Sequence, residues 1–241
     1  MERIYSFIKQ ATIMVCLLSI QSCTAQSQLI ADETETVSVE KMKYYLYYPR
    51  DYEVEKDKQF PLLLFLHGGG ESGGDLEELK TNGPPKLLSE GKEFPFLVLA
   101  PQNRHKRKWW NTRAIVQLLD TIIQTNRVDL DRIYLTGLSR GGSAAWEIAV
   151  QYPDKFAAMA VVCGMTPVPY ASWINKNMPI WVFHGAVDKS IPVTESDEMV
   201  SKLKQMGYDV TFTRYEGVGH NAWEQAYTTE ALYDWFMNQK R

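Results

Sequence analysis

The residues whose types and spacing most clearly suggest catalysis lie in the stretch YLTGLSRGG, which begins at Tyr134. Within it, Gly137, Ser139 and Gly141 form the pattern Gly-x-Ser-x-Gly. The serine follows an apolar run and precedes a helical pattern, so we expect it at a sharp turn between a strand and a helix. Small flanking residues let the two elements pack closely while the serine backbone is strained. The pattern therefore predicts a nucleophile at Ser139.

A serine hydroxyl is a poor nucleophile at neutral pH and needs a base, together with a carboxylate that orients the base. Of the four histidines, His220 is the best base, because GVGHNAW places it in a glycine-punctuated loop before the last helical pattern. Asp188 follows the apolar run IWVFHG and is the best carboxylate. The three residues follow one another in the order Ser139, Asp188, His220, which is the order expected of a fold with its nucleophile at such a strand-to-helix turn. His67 is interpreted as a structural residue.

An acyl transfer also needs backbone N–H groups that stabilise negative charge on the carbonyl oxygen. The glycine-rich stretch HGGGESGG lies at the end of another predicted strand. Gly69 in this stretch and Arg140, directly after the nucleophile, are the predicted oxyanion donors. We also expect Glu71 to pair with Arg140 and neutralise its charge.

Three tryptophans are candidates for substrate binding. Trp109 and Trp110 follow a predicted strand end, and Trp223 lies three residues after His220. Aromatic rings in such loops can stack on sugars or on an aromatic acyl group. The alternative that they pack beneath the loops stays open for all three, most of all for Trp110. Glu71, beside the oxyanion loop, is a further candidate for substrate binding.

The elements that must position these residues follow an alternating order. Helical patterns separate short apolar runs that predict strands buried on both faces. The clearest helix covers residues 111–126, and another is expected to begin at Thr194, capped by its hydroxyl with Asp197, and to end before Gly207. Such alternation predicts an α/β fold with a mostly parallel sheet covered on both sides. The strand runs are KYYLYYP, PLLLFLH, FPFLVLAP, RIYLTG, FAAMAVV and PIWVFHG.

Composition bounds these interpretations. The 241 residues are 45% hydrophobic and 23% charged, which is typical of a soluble globular protein, and the length suits one large domain. A net charge of -3 gives no reason to expect nucleic acid as a partner. The basic run HKRK favours a solvated loop over a site for an acidic glycan. No cluster of residues has metal-ligand spacing, so neither a metal nor an organic cofactor is expected.

The first residues predict export. Residues 1–22 contain ATIMVCLLSI, an apolar run too short for a lasting membrane span, and are interpreted as a lipoprotein-type signal peptide. Cys23 would then be lipidated and anchor the chain to a bacterial membrane, in the periplasm or at the cell surface; cleavage after Ala25 is the alternative. Residues 23–40 are expected to form a flexible tether and 41–241 the catalytic domain. Cys163, in an apolar run, is predicted to be a buried core residue.

Six motifs in this order resemble the α/β-hydrolase superfamily: HGGGESGG, NGPPKLL, FPFLVLAPQ, RIYLTGLSRGG, PIWVFHGAVDKSIPV and GVGHNAW. More narrowly, they resemble exported bacterial carboxylesterases of the feruloyl, acetylxylan and polyhydroxybutyrate depolymerase-like kind, from about Tyr44 to the C-terminus. The resemblance implies an α/β-hydrolase fold, a triad of Ser139, Asp188 and His220, and oxyanion donors at Gly69 and Arg140. One departure is Arg140 itself, because these relatives usually carry an uncharged residue there.

The segment CGMTPVPYASWINKNM is too short for the helical lid of many lipases, which indicates an open cleft. We therefore expect a serine esterase that acts on esters decorating polysaccharides, such as feruloyl or acetyl groups. The alternatives are a prolyl oligopeptidase-like peptidase, a general short-chain carboxylesterase or phospholipase, and a glycan-binding lipoprotein without catalysis.

Overall fold

A computed structural model describes residues 40–241. The predicted signal peptide at 1–22, the lipidation site at Cys23 and all but the last residue of the predicted tether lie outside the described residues. Across 40–241, no helix combines the length and the apolar character that a membrane crossing requires.

Seven strands form one sheet, and all six predicted strands belong to it. They are β1 (Tyr44–Tyr47), β2 (Phe60–Leu66), β3 (Leu97–Pro101), β4 (Val128–Leu138), β5 (Ala158–Val162), β6 (Ile180–Gly185) and β7 (Val210–Tyr215). Their order across the sheet is β1-β3-β2-β4-β5-β6-β7. Strand β1 is antiparallel to β3, and every other neighbouring pair is parallel. The prediction of a mostly parallel sheet is confirmed, and β2, β3 and β5 are buried throughout.

Strand β7 is missing from the prediction. It has the sequence VTFTRY and pairs with β6 at the edge of the sheet. Only Val210 within it is buried, so the strand lacks the continuous apolar run that marks its neighbours. Its β-branched and aromatic residues were the available signal.

Helices cover both faces of the sheet. They are α1 (Gly83–Ser89), α2 (Thr112–Thr125), α3 (Arg140–Gln151), α4 (Thr194–Gln205), α5 (Trp223–Thr228) and α6 (Glu230–Met237), with 3-10 turns at Leu76–Thr81 and Val168–Trp173. Apolar residues of α2, α3 and α4, such as Ile115, Trp146 and Leu203, fill the core on one face. Tyr227 of α5 and Phe236 of α6 fill the core on the other. This layering confirms the predicted α/β architecture.

The predicted cap of α4 is wrong. The helix begins at Thr194 as expected, but no side chain caps it. The carbonyl of Val193 accepts the N–H of Asp197 at 3.0 Å, and the Asp197 carboxylate pairs with Arg214 of β7 at 3.1 Å. Backbone carbonyls thus satisfy the first turn and leave the carboxylate for an ion pair with the neighbouring strand. The C-terminal end of α4 is as predicted, since the helix ends before Gly207, which adopts a φ of +76°.

Candidate active site

Ser139 connects β4 to α3 in a strained conformation. Its φ is 52° and its ψ is -120°, a combination that non-glycine residues rarely adopt. The N–H of Ser139 donates to the carbonyl of Val162 in β5 at 2.8 Å, and its own carbonyl accepts the N–H of Ser143 at 3.0 Å. The neighbouring strand and the first helical turn therefore hold the strained residue in place. The predicted backbone strain at Ser139 is confirmed.

The two glycines of the motif are required by packing. A Cβ built on Gly137 would lie 2.3 Å from the carbonyl oxygen of Gly141, and one on Gly141 would lie 2.0 Å from that of Leu66. Both obstructing atoms belong to the backbone and cannot rotate away. The prediction that these glycines are steric requirements is confirmed.

The structure brings together the three residues predicted to act on the substrate. The hydroxyl oxygen of Ser139 lies 2.8 Å from Nε2 of His220, and Nδ1 of His220 lies 2.6 Å from Oδ2 of Asp188. A carboxylate at this distance accepts the Nδ1 proton and leaves the lone pair of Nε2 facing the serine hydroxyl. This geometry allows the imidazole to take a proton from Ser139.

Asp188 is buried and strongly hydrogen-bonded. Its side chain has no exposed surface, and its Oδ1 accepts the backbone N–H groups of Ser190 at 2.8 Å and Ile191 at 3.0 Å. Burial alone would raise the pKa of Asp188, but hydrogen bonds from His220, Ile191 and Ser190 outweigh it, and the pKa is lowered. The carboxylate is consequently ionised at neutral pH and can orient the imidazole.

The loops that carry Asp188 and His220 are joined by their backbones. The N–H of Val187 donates to the carbonyl of Val218 at 3.0 Å. A Cβ on Gly185 would lie 2.0 Å from the carbonyl oxygen of Gly219, so the end of β6 approaches the following loop closely. This contact fixes the separation between the carboxylate and the imidazole.

His184, which the sequence left without a role, supports the same carboxylate. Its ring is fully buried, and its Nε2 lies 2.9 Å from the carbonyl of Ile191, so Nε2 carries the proton. Its Nδ1 then accepts the hydroxyl of Ser196 at 2.7 Å. Nε2 also lies 3.3 Å from Oδ2 of Asp188. The Nε2–H of His184 thus contributes a second partial positive charge beside the carboxylate.

One described cluster has the residue types of a metal site. The ligand atoms of Cys163, His184 and Asp188 all lie within 4.8 Å of one another. Their chemistry does not suit a cation, because both nitrogens of His184 already have hydrogen-bond partners. Burial also raises the pKa of the Cys163 thiol to about 12, which keeps it protonated. Cys163 is fully buried, as predicted.

The two predicted oxyanion donors are neighbours. Arg140 is the first residue of α3, so no helical carbonyl can accept its N–H. Gly69 lies in the loop after β2, where a Cβ would be 2.9 Å from Nη2 of Arg140. The guanidinium group therefore covers the position at which Gly69 lacks a side chain.

The predicted ion pair between Glu71 and Arg140 is wrong. Nη1 of Arg140 donates to the carbonyl of Lys106 at 3.1 Å and to the hydroxyl of Ser72 at 3.3 Å. Glu71 is buried and accepts the side-chain N–H of Asn82 at 2.9 Å. Because the guanidinium extends across Gly69 towards the loop of Lys106, two uncharged acceptors hold it.

Trp223 packs against the predicted base. Its ring meets the imidazole of His220 edge to face, with centroids 5.2 Å apart and planes at 87°. Its Nε1 donates to Oδ1 of Asn82 at 2.9 Å, and Asn82 in turn donates to Glu71. A continuous series of contacts thus connects Glu71 to His220. Asn82 begins the motif NGPPKLL, but nothing in the sequence indicates its contact with Trp223, which lies 141 positions away.

The neighbouring Trp109 and Trp110 differ sharply. Trp110 is 4% exposed and packs on His67 with ring centroids 4.6 Å apart, which confirms the alternative that it lies beneath the loop. Trp109 is 48% exposed, and its Nε1 donates to Glu147 at 3.2 Å. Trp109 remains available for contact with a ligand.

His67 organises the loop that follows β2. Its Nε2 accepts the backbone N–H of Asn103 at 2.9 Å, so its Nδ1 carries the proton and donates to the carbonyl of Gly68 at 2.6 Å. Burial lowers the pKa of His67 to about 4. The ring is therefore neutral and links the glycine-rich loop to the end of β3.

Comparisons with known proteins agree with this architecture. The sequence matches the phospholipase/carboxylesterase family over residues 94–231. A thermostable esterase of known structure superposes with a TM-score of 0.73 at 30% identity, covering 83% of this chain and 60% of that one. Both matches confirm the expected α/β-hydrolase fold.

Two curated relatives add to this result. A bifunctional acetylxylan esterase/xylanase of Neocallimastix patriciarum is 30% identical over 134 residues, or 53% of this chain and 19% of that protein. Acyl-protein thioesterase 1 of Gibberella zeae is 27% identical over 196 residues, or 66% of this chain and 83% of that protein. The chain spans about a fifth of the length of the first curated relatives that it matches. It belongs to the phospholipase/carboxylesterase family of α/β hydrolases.

Proposed function

We propose that the chain is a serine carboxylic ester hydrolase and that Ser139, His220 and Asp188 form its catalytic triad. The observation that carries the proposal is the continuous line of hydrogen bonds, 2.8 Å from Ser139 to His220 and 2.6 Å from His220 to Asp188. Such a line allows a base to activate a serine and allows a carboxylate to stabilise the imidazolium that forms.

The reaction then proceeds through two displacements at the ester carbonyl. His220 takes the proton of Ser139 as its oxygen attacks, and the same proton passes to the alcohol oxygen when the carbon–oxygen bond breaks. Water attacks the resulting acyl-enzyme, His220 takes a proton from this water, and the proton returns to Ser139 as the acid leaves. The N–H groups of Gly69 and Arg140 stabilise the oxyanion of both tetrahedral intermediates.

The substrate proposed for this site is an ester that decorates a polysaccharide, such as an acetyl or a feruloyl group. The similarity to an acetylxylan esterase/xylanase supports an acetylated glycan. The segment between β5 and β6 contains one short 3-10 turn, Val168–Trp173, where a lid would need longer helices. Together with the exposed ring of Trp109, this arrangement suits a bulky, solvated substrate.

The similarity to acyl-protein thioesterase 1 favours a second candidate function, the hydrolysis of acyl thioesters. A thioester carbonyl would meet the same nucleophile, base and oxyanion donors. The two candidates differ in the group that leaves and in the length of the acyl chain.

The triad is tested by labelling with a fluorophosphonate probe and by turnover of p-nitrophenyl acetate. We expect one label per chain on Ser139, no label on Ser139→Ala, and a loss of turnover on the order of a millionfold in that variant. A Ser143→Ala variant serves as the control, since this neighbouring serine should be dispensable for labelling. Activity of Ser139→Ala within tenfold of the unsubstituted protein would disprove the assignment.

The substrate class is tested with acetylated xylan, a feruloylated oligosaccharide and a palmitoyl thioester at equal ester concentration. The polysaccharide proposal expects the highest kcat/KM on one of the two glycan esters. A higher kcat/KM on the palmitoyl thioester would favour the second candidate.

A further inference from the structure

A groove of about 660 Å³ lies along α3, outside the catalytic residues. It is lined by residues of α3, of the segment after β5 and of α4, together with Trp109. The residues that matter for its chemistry are Trp109, Glu147, Tyr170, Trp173, Glu195 and Glu198.

The groove begins close to the nucleophile. Ser143 lines it and lies one helical turn beyond Ser139, whose carbonyl accepts the Ser143 N–H at 3.0 Å. Gln151, which also lines it, follows two turns later, about 12 Å along the helix axis. A sugar chain that runs along α3 from an ester group at Ser139 would therefore enter the groove.

Exposed aromatic rings line this groove. Trp173 is 58% exposed and Trp109 is 48% exposed, although large aromatic residues usually bury most of their surface. Tyr170 packs against Trp173 with ring centroids 5.1 Å apart, which supports the tryptophan from one side. The rings offer flat apolar surfaces next to polar groups.

A fixed carboxylate lies among these rings. Oε1 of Glu147 accepts a hydrogen bond from Gln151 at 2.9 Å, and its Oε2 accepts one from Trp109 at 3.2 Å. The hydroxyl of Thr112 in turn donates to Oε1 of Gln151 at 2.9 Å. Two donors thus hold the carboxylate in one position at the lining of the groove. With Glu195 and Glu198, the charged residues that line the groove are all glutamates.

We propose that this groove binds a neutral sugar residue of the glycan that carries the ester. The apolar face of a sugar ring stacks on Trp173 and Trp109, and its hydroxyl groups donate to the carboxylates, Glu147 above all. Three negative charges disfavour a uronate, and fixed carboxylates disfavour a fatty acyl chain. This subsite rests on the proposed polysaccharide substrate and assigns the groove to its sugar backbone.

The kinetic test compares three substrates, namely acetylated xylo-oligosaccharide, methyl ferulate and p-nitrophenyl acetate. In Trp173→Ala we expect kcat/KM on the oligosaccharide to fall about tenfold relative to that on p-nitrophenyl acetate, mainly through KM, the scale of one lost stacking contact. Tyr44→Ala removes a ring that is 39% exposed at another edge of the sheet and should leave this ratio unchanged. An unchanged ratio in Trp173→Ala, or a selective loss on methyl ferulate, would overturn the proposal.

A binding measurement separates the subsite from catalysis. Unesterified xylo-oligosaccharide should bind to Ser139→Ala in isothermal titration, and Trp173→Ala and Glu147→Gln in that background should each weaken the binding. A xylo-oligosaccharide substituted with glucuronate on the sugar that enters the groove should bind less tightly. Tighter binding of the uronate would refute the subsite, and so would no binding of either sugar by Ser139→Ala when the unsubstituted protein hydrolyses p-nitrophenyl acetate. Absence of hydrolysis of every ester with sugar binding intact would instead refute the proposed function.

Discussion

The catalytic centre and the groove along α3 differ in how much side-chain surface they leave exposed to a ligand. At the centre, Asp188 has no exposed surface and accepts hydrogen bonds from the protein at both oxygens, while the Ser139 hydroxyl already faces its base at 2.8 Å. In the groove, Trp109 and Trp173 expose about half of their surface. Groups that act on developing charge gain from being fixed before the substrate arrives. Groups that recognise a ligand leave surface open for it, so the two regions should respond differently to substitution.

Asp188→Asn gives the largest effect expected at the centre. An asparagine amide can present an N–H to Nδ1 of His220, which would place the imidazole proton on Nε2 and remove the base from Ser139. We expect kcat to fall about 10⁴-fold on every ester, with the fold retained. Turnover of p-nitrophenyl acetate and of acetylated oligosaccharide measures the loss of kcat, and near-ultraviolet circular dichroism checks that the fold is retained. A loss confined to the oligosaccharide would contradict the division between the two regions.

Gly141→Ala tests the packing that presents the nucleophile. The added Cβ would lie 2.0 Å from the carbonyl oxygen of Leu66, so β2 and α3 must separate. We expect the free energy of unfolding, measured with urea, to fall by about 3–5 kcal/mol. Gly70→Ala is the matched control, because a Cβ there meets nothing within 4 Å and should change stability by less than about 1 kcal/mol. Equal losses in both variants would show that the tight contact at the elbow is not what stabilises it.

The sequence predicts the elbow well because its requirements are local. The spacing of Gly137, Ser139 and Gly141 encodes a strained turn, and the apolar run before it encodes a buried strand. Contacts made by distant residues are not encoded in this way. Asn82 meets Trp223 only after α1 and α5 pack together, and the expectation that Glu71 pairs with Arg140 was wrong because charge alone does not specify distance.

Other features that the sequence did not predict also depend on contacts between residues that are distant in the chain. His184 lies within a predicted strand run, and the orientation of its ring depends on the carbonyl of Ile191 and the hydroxyl of Ser196. Strand β7 has an edge position and mixed burial, so tertiary pairing with β6 outweighs its weak pattern. The groove could not be predicted because it joins Trp109 to a segment after β5 whose turn has no marked periodicity.

His67 is a buried polar group that lies outside both the proposed catalytic triad and the groove, and it extends the comparison to a third region. Burial lowers its pKa to about 4, whereas an unfolded chain has a histidine pKa of about 6.5. Between these two pH values the unfolded state binds a proton that the folded state does not. The free energy of unfolding therefore falls as the pH decreases from 6.5 to 4, and His67 causes no further loss below that range. The loss due to His67 amounts to about 3 kcal/mol.

Urea unfolding of His67→Gln at pH 7 and near pH 4 measures this contribution. The variant should lose less stability across the interval than the unsubstituted protein, whatever its stability at pH 7. His105→Gln, in the surface loop of HKRK, should retain the full decrease. The same decrease in His67→Gln as in the unsubstituted protein would assign the acid sensitivity to other groups.

Asn82→Ala gives the smallest expected effect and tests whether Asn82 belongs to the catalytic centre or to the surface that recognises the substrate. Asn82 contacts neither Ser139 nor His220 directly in the described structure, but it holds the Nε1 of Trp223, whose ring packs on the imidazole. Its removal leaves Glu71 and Trp223 without this partner and loosens the ring. We expect kcat on p-nitrophenyl acetate to fall about tenfold with KM unchanged, which corresponds to about 1.4 kcal/mol of transition-state stabilisation.

Glu71→Gln is the matched control for this positioning role. A glutamine oxygen can still accept the Asn82 N–H, so kcat should stay within about twofold of the unsubstituted value, whereas a role for the negative charge near Arg140 would lower it. If Asn82→Ala instead raised KM on the oligosaccharide alone, Asn82 would belong with the recognition surface. If Asn82→Ala instead lowered kcat on every ester, the contacts from Glu71 to Trp223 would belong to the catalytic centre. A displaced His220 slows the reaction of all substrates alike, whereas a lost sugar contact slows that of the oligosaccharide alone.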